Sequence, residues 1–519
     1  MNNPHEDKSA MLAPLKSTLQ NFCRRFRMDQ RGNVAIMTGL LSLPAFAIGG
    51  AAIDFSRAIA TKAELSTALD SALLSLARSP AGPDDVAKAY VKNYVGDVLV
   101  SNGKVLDWKI ADFHQTVSTV DATLSATIET AVLGIVKMTE MTVTVTSEVT
   151  RENKKVEVAL VLDNTGSMGS GGKIQALREA THDLLDILFA GKNSEEMVKV
   201  GMVPFVTSVN IKADGFKTAW IDKNGEAQSN GINFDPHTGP TNHFALYATM
   251  KGVEWKGCVE ARAEPYDTSD TTPHPGKKDT LWVPYLWPDE PDYGWGYSNN
   301  YLPDGVWGTS EYRQSHTHKY TGSRPSIDET APNTRGPNKS CPQPLRPLTN
   351  NVEVLRADTN LMTSWGSSGT NIALGLAWGW RVLSPEAPFT EGVEYDDEEV
   401  EKALILLTDG ENVVVSQNTH NKSDYNGYGY MSVGNLGTTS TWSAVQKVNA
   451  KVEKLCASIK AKGVRIYTIT FQLNDNTLQD IFRACATTPN LYFDSPSNEE
   501  LKLAFRTIAV DLSNLRLSK

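Results

Sequence analysis

The stretch Val156-Glu157-Val158-Ala159-Leu160-Val161-Leu162-Asp163-Asn164-Thr165-Gly166-Ser167 reads as a buried strand running into a polar loop. Its first seven residues are apolar or β-branched apart from Glu157, and Asp163 stands where the strand ends. Residues i, i+2 and i+4 of an extended loop face one way, so Asp163, Thr165 and Ser167 can present three oxygens to one point. Residues 173–189 then carry Ile174, Leu177, Leu184 and Leu188 near helical spacing. The result is a strand, loop and helix unit whose ligand crevice lies at the strand's carboxyl end.

Two further segments share this chemistry. Trp365-Gly-Ser-Ser-Gly-Thr370-Asn371 opens an apolar helix over 372–383, and Ala403-Leu-Ile-Leu-Leu-Thr408-Asp409-Gly410 is a second apolar strand ending in a carboxylate. Asp163, Thr165, Ser167, Thr370 and Asp409 together offer hydroxyls and carboxylates without thiol or imidazole. That set suits a hard cation, so the site predicts Mg2+, with Ca2+ or Mn2+ as alternatives.

At these residues the chain resembles a von Willebrand factor A domain with its metal-ion-dependent adhesion site. The family pattern D-x-S-x-S, a distant Thr and a distant Asp is met by Asp163, Ser167, Thr370 and Asp409, with Thr165 keeping the hydroxyl of the first Ser. The resemblance implies a doubly wound, mainly parallel α/β sheet, with direct or water-mediated metal contacts. It also implies one coordination position open to an acidic residue of a protein partner. Strands are expected over 156–162, 198–206, 403–407, 464–471 and 491–493, and a last helix over 498–517. The domain is expected to fill 156–519, with insertions at 213–348 and 415–441. The first insertion holds Trp220, Trp255, Trp282, Trp287, Trp295 and Trp307. Packing into satellite cores is the favoured reading for them, over an exposed contact surface.

Enzyme readings fare poorly on the same residues. A phosphatase of the haloacid dehalogenase type needs a second carboxylate two residues after the first, where Thr165 stands. A P-loop fails as well, since Gly172-Lys173 is preceded five positions earlier by Ser167 and followed by Ile174. No Gly-x-Ser-x-Gly elbow occurs, and the five cysteines make no zinc spacing. A Mg-dependent hydrolase is therefore the last-ranked alternative, and the chain is read as no enzyme.

The amino terminus carries the other signal. Residues 32–53 form a charge-free run of 22, preceded by Arg24, Arg25, Arg27 and Arg31. At about 1.5 Å per residue such a helix spans a hydrocarbon core of about 30 Å. The arginines place the first segment in the cytoplasm. The run is longer than the apolar part of a cleaved signal peptide. From Arg31-Gly-Asn-Val-Ala-Ile to Ala-Ile-Asp54-Phe-Ser-Arg57 the segment resembles the anchor of TadE/TadG-like proteins of the Flp, or tight-adherence, pilus system. Pseudopilin relatives carry Glu five residues after the processing Gly, and here Met37 holds that place, so the anchor is expected to stay.

The layout predicted is a cytoplasmic tail over 1–31, an anchor over 32–53, a small α+β, pilin-like periplasmic stalk over 54–150, a linker over 151–155 and the large domain. Strand-like alternation runs over 115–128 and again from Met141. At 519 residues the length allows about three domains. A formal net charge of −10 gives no broad footprint for nucleic acid. Cys258 with Cys341 and Cys456 with Cys485 are the pairings expected in an oxidising compartment, with independent buried thiols as the alternative and Cys23 left over. The reading is a single-pass bacterial inner-membrane protein of pilus assembly or secretion, its periplasmic body gripping an acidic partner residue through Mg2+. The alternative is a surface adhesin for host or matrix ligands.

Overall fold

The computed structural model describes residues 33–77, 83–101, 107–115, 119–150, 154–190, 194–328, 332, 334–366 and 369–515. The tail with its four arginines, Cys23, residues 116–118, linker residues 151–153, Ser367 and Ser368 lie outside the described residues. Two compact units divide the chain, 1–151 and 152–519.

In the first unit, helix α1 (Asn33–Ala77) runs on through Pro44. It is long and apolar enough to cross a membrane. Its leading half shows its apolar side chains, with Ile36, Leu40, Phe46 and Ile48 all exposed. Its trailing half buries Leu65, Leu69, Leu73 and Leu76 against Val91, Val95 and Leu99 of α2 (Asp84–Ser101). An antiparallel sheet completes this core, ordered β1 (Asp107–Gln115), β2 (Thr119–Glu129) and β3 (Glu140–Thr150). Val120, Ala122, Leu124 and Ala126 of β2 point inward while their neighbours face out, the period-two pattern of a half-covered sheet. Of the strand-like run 115–128, Gln115 belongs to β1 and residues 119–128 to β2, which pair antiparallel.

In the second unit, β4 (Lys155–Asp163) leads to α3 (Lys173–Leu188), β5 (Val198–Phe205) and, after a long excursion, β6 (Arg346–Thr349) and α4 (Val352–Leu361). There follow α5 (Ile372–Leu383), β7 (Val400–Thr408), α6 (Thr441–Ala461), β8 (Arg465–Phe471), α7 (Asn476–Cys485), β9 (Tyr492–Ser495) and α8 (Asn498–Leu515). The six strands lie in the order β9-β8-β7-β4-β5-β6, all parallel except β6, which pairs antiparallel with β5. This is the mainly parallel, doubly wound α/β fold that the resemblance implies. β6 corrects the expected insertion boundary: residues 346–348 belong to the sheet edge, where Pro347 is tolerated because edge strands need fewer ladder donors.

Both faces of the sheet are covered, which is why its central strands are almost wholly apolar. Ala159 and Val161 face a core shared with α5, α6 and α7, while Val158, Leu160 and Leu162 face α3 and α8. Truncating Leu160 to Ala would cost about 2–5 kcal/mol. Gly375 and Gly379 let α5 lie close on the sheet, since an added Cβ would meet the Phe205 ring at 2.6 Å and Val161 Cγ2 at 2.3 Å.

The tryptophan-rich excursion packs mostly inward. Trp220, Trp255 and Trp282 join the α5 core, and Trp287 is buried beside the Cys258–Cys341 disulfide. Trp295 and Trp307, at 98% and 91% exposure, do not pack. A second disulfide joins Cys456 of α6 to Cys485 of α7.

Candidate metal-binding site

The chain starts the sheet at β4, builds outward through β5 and β6, then returns to the other side of β4 with β7. The crevice at the carboxyl ends of β4 and β7 is thus a topological switch point, where open α/β sheets bind ligands. Asp163 ends β4 and Asp409 follows β7, so the topology alone brings two carboxylates together.

Hydrogen bonds tie the first loop to Asp409. Asp163 Oδ1 accepts the Thr165 backbone N–H at 2.7 Å, which curls the loop back over the strand end. The Thr165 and Ser167 hydroxyls are 3.0 Å apart, and Ser167 Oγ donates to Asp409 Oδ1 at 2.5 Å. Lys173 Nζ, at the start of α3, donates to Asp409 Oδ2 at 2.9 Å. Thr408 Oγ1 lies 2.6 Å from Asp163 Oδ2. Burial first, and the charge of Asp409 second, push the Asp163 carboxyl up to about 6 despite these hydrogen bonds.

Thr370 arrives by another route. Its backbone pairs in both directions with Val413, each bond 3.0 Å, in the loop that follows Asp409. Gly369, at φ +78°, makes this approach possible, because a Cβ there would sit 2.3 Å from Val413 O. Thr370 is buried, and among the described residues its hydroxyl bonds to none of the other four. Asp163, Thr165, Ser167 and Asp409 are therefore brought together directly, whereas Thr370 is tied by its backbone to the loop after Asp409 and, among the described residues, makes no hydrogen bond to the other four.

Lys173 and Thr408 belong to this cluster although the sequence reading did not single them out. Thr408 immediately precedes Asp409, and Gly172-Lys173 was weighed only as a failed phosphate loop. The signal for Lys173 is its place on the first turn of the helix that opens the crevice.

The residues fit a hard divalent cation. Two buried carboxylates facing one crevice repel each other, and a cation would turn that penalty into an attraction. The donors that converge here are hydroxyls and carboxylates, the oxygen chemistry a hard cation takes.

The fold and the cluster together define a class: a doubly wound α/β domain with hydroxyls and carboxylates gathered at its switch point. Residues 32–78 match the Tad family, described as "Putative Flp pilus-assembly TadE/G-like", so the amino-terminal segment is TadE/G-like. No curated protein matches the chain. Among solved structures, the von Willebrand factor domain of the type V pili tip protein Mfa5 from Porphyromonas gingivalis is similar at 12% identity and TM-score 0.34, covering 71% of this chain and 97% of that one. The pilus adhesin SpaC from Lactobacillus rhamnosus GG is similar at 13% identity and TM-score 0.30, covering 78% of this chain. The match spans only 34% of SpaC. Proximal thread matrix protein 1 from the mussel byssus, with a zinc-occupied MIDAS motif, is similar at 12% identity and TM-score 0.29, covering 70% of this chain and 48% of that one. At these scores the strand order carries the fold by itself.

Proposed function

We propose that the chain is a membrane-anchored component of Flp, or tight-adherence, pilus assembly or secretion. In this reading residues 32–53 hold it in the bacterial inner membrane with the tail in the cytoplasm. Residues 54–150 form a stalk, and 156–519 form a periplasmic binding domain. Asp163, Thr165, Ser167, Thr370 and Asp409 would hold Mg2+, which when bound supplies a positive centre for a partner's carboxylate. The observation that carries the reading is the convergence of Asp163, Thr165, Ser167 and Asp409 at the switch between β4 and β7. The TadE/G-like match at 32–78 supports the pilus setting. The role is read as non-enzymatic.

The test is in-cell crosslinking of the full chain followed by purification, with wild type and Asp163→Ala compared with and without chelator. A partner crosslink that needs Mg2+ and Asp163 supports the reading, and one indifferent to both contradicts it. The adhesin alternative is favoured by one observation, the nearly free Trp295 and Trp307 indoles. It predicts that ligand capture follows those two residues and not Asp163.

A further inference from the structure

Asp54 is the first charged residue after the apolar run 32–53, and it is buried. Its carboxylate accepts three backbone N–H groups from the loop between β2 and β3: Ala131 on Oδ1 at 2.8 Å, and Val132 and Leu133 on Oδ2 at 2.9 and 2.8 Å. One helical turn earlier, Val132 presses on Gly50 so closely that an added Cβ would lie 2.0 Å from Val132 Cγ1. The loop is therefore locked to the final turn of the apolar run, at the level where that run meets its first charge.

The composition of the loop matches that level. From Thr130 to Thr139 its only charge is Lys137, within Ala131-Val-Leu-Gly-Ile-Val-Lys-Met138. Met138 is 53% exposed, and Ala131 and Lys137 are exposed beside it. On the same helix face of the boundary, Arg57 lies 3.5 Å from Glu129 O with half its side chain exposed. An apolar loop rimmed by Arg57 and Lys137, with the exposed Glu129–Glu140 pair at its base, lies beside a helix segment that exposes Phe46 and Ile53, and has the character of a surface that sits in the lipid headgroup and upper acyl region.

We propose that the 130–139 loop is a second membrane contact, resting on the bilayer surface and fixing the stalk's angle to it through the Asp54 clasp. This rests on the reading of 32–53 as the anchor, and names the lipid surface as the loop's partner.

The test uses the full chain with Cys23→Ser, the other four cysteines being held in disulfides. Single spin labels are placed at Met138→Cys or Ala131→Cys, at Phe46→Cys as the anchor reporter, and at His114→Cys. His114 pairs with Asp121, at the end of the sheet away from the loop. The protein is reconstituted in vesicles of phosphatidylethanolamine and phosphatidylglycerol, and collisions with oxygen and with a water-soluble nickel chelate are compared. The loop labels should favour oxygen over nickel severalfold relative to His114, in the same sense as Phe46. Loop labels as nickel-accessible as His114, with Phe46 still shielded, would overturn the loop contact and leave the anchor standing. A nickel-accessible Phe46 label would instead remove the anchor reading and this inference with it.

Discussion

Lys173 Nζ sits 2.9 Å from Asp409 Oδ2, with the lysine side chain 12% exposed and the aspartate side chain fully buried. The ammonium is the counter-charge of a carboxylate that the proposed Mg2+ would also need. Removing it has two effects of opposite sign. Lys173→Met leaves Asp409 buried without a cation, so the metal-free protein should lose about 3–5 kcal/mol. Mg2+ affinity should rise roughly tenfold, because the metal no longer competes with the lysine. Calorimetric titration and denaturant melts of the same variant read both, and equal affinities in variant and wild type would contradict the competition.

Asp163 predicts a pH dependence. Its carboxyl is raised from 3.8 to about 6, so the folded metal-free protein binds this proton more tightly than the unfolded chain does. That contribution is fully present below about pH 4 and is lost as pH rises through about 6. In chelator, Asp163→Asn should therefore gain on wild type across that window, by about 1–3 kcal/mol. With saturating Mg2+ the order should reverse. Urea melts at a series of pH values decide it, and a pH-independent difference would show that Asp163 carries no such burden.

A second pH effect belongs to the insertion and is independent of metal. Glu260 and His243 approach within 3.6 Å, yet burial pushes Glu260 up to about 8 and His243 down to about 4, so both are neutral near pH 7 and form no ion pair. The raised Glu260 costs stability as pH climbs from 4.5 toward 8, whereas the depressed His243 costs it as pH falls from 6.5 toward 4. Above about 6.5 only the glutamate acts, so Glu260→Gln should gain on wild type by about 2 kcal/mol between pH 6.5 and 8. Thermal melts along that range test it, and parallel curves would refute it.

Thiol chemistry supplies a fourth check. Cys258–Cys341 closes a separation of 83 residues and Cys456–Cys485 one of 29. Thiol labelling of the native protein should modify Cys23 alone. Replacing Cys258 and Cys341 by Ser should cost about 3–5 kcal/mol, chiefly through loop entropy restored to the unfolded chain. Labelling at four further positions would overturn the pairing and an oxidising location together.

The legible parts of this fold share a physical cause. β4 and β7 are buried on both faces, so they read as nearly continuous apolar runs, and their terminal aspartates stand out against them. β6 has no such mark. Arg346-Pro-Leu-Thr349 is short, polar at both ends and held by its pairing with β5, which no local pattern encodes. In the first unit, Ala87, Val91, Val95 and Leu99 recur every four residues, and that spacing is the signal that marks α2. β1 stays hidden because its burial alternates only between partial and none. At the site, residue type and order point to the five candidate oxygen donors, but Lys173 enters through the packing of α3 against the crevice. Spacing along the chain carries no trace of a contact between residues 236 positions apart.

The most direct measurement is a calorimetric titration of Mg2+ into the chelator-stripped, detergent-solubilised full chain, in wild type and in the Asp163→Ala, Asp409→Ala double variant. Circular dichroism checks that the sheet persists. The account predicts one saturable site in wild type and none in the folded double variant. No saturable binding in wild type, or equal binding in both proteins, would contradict it.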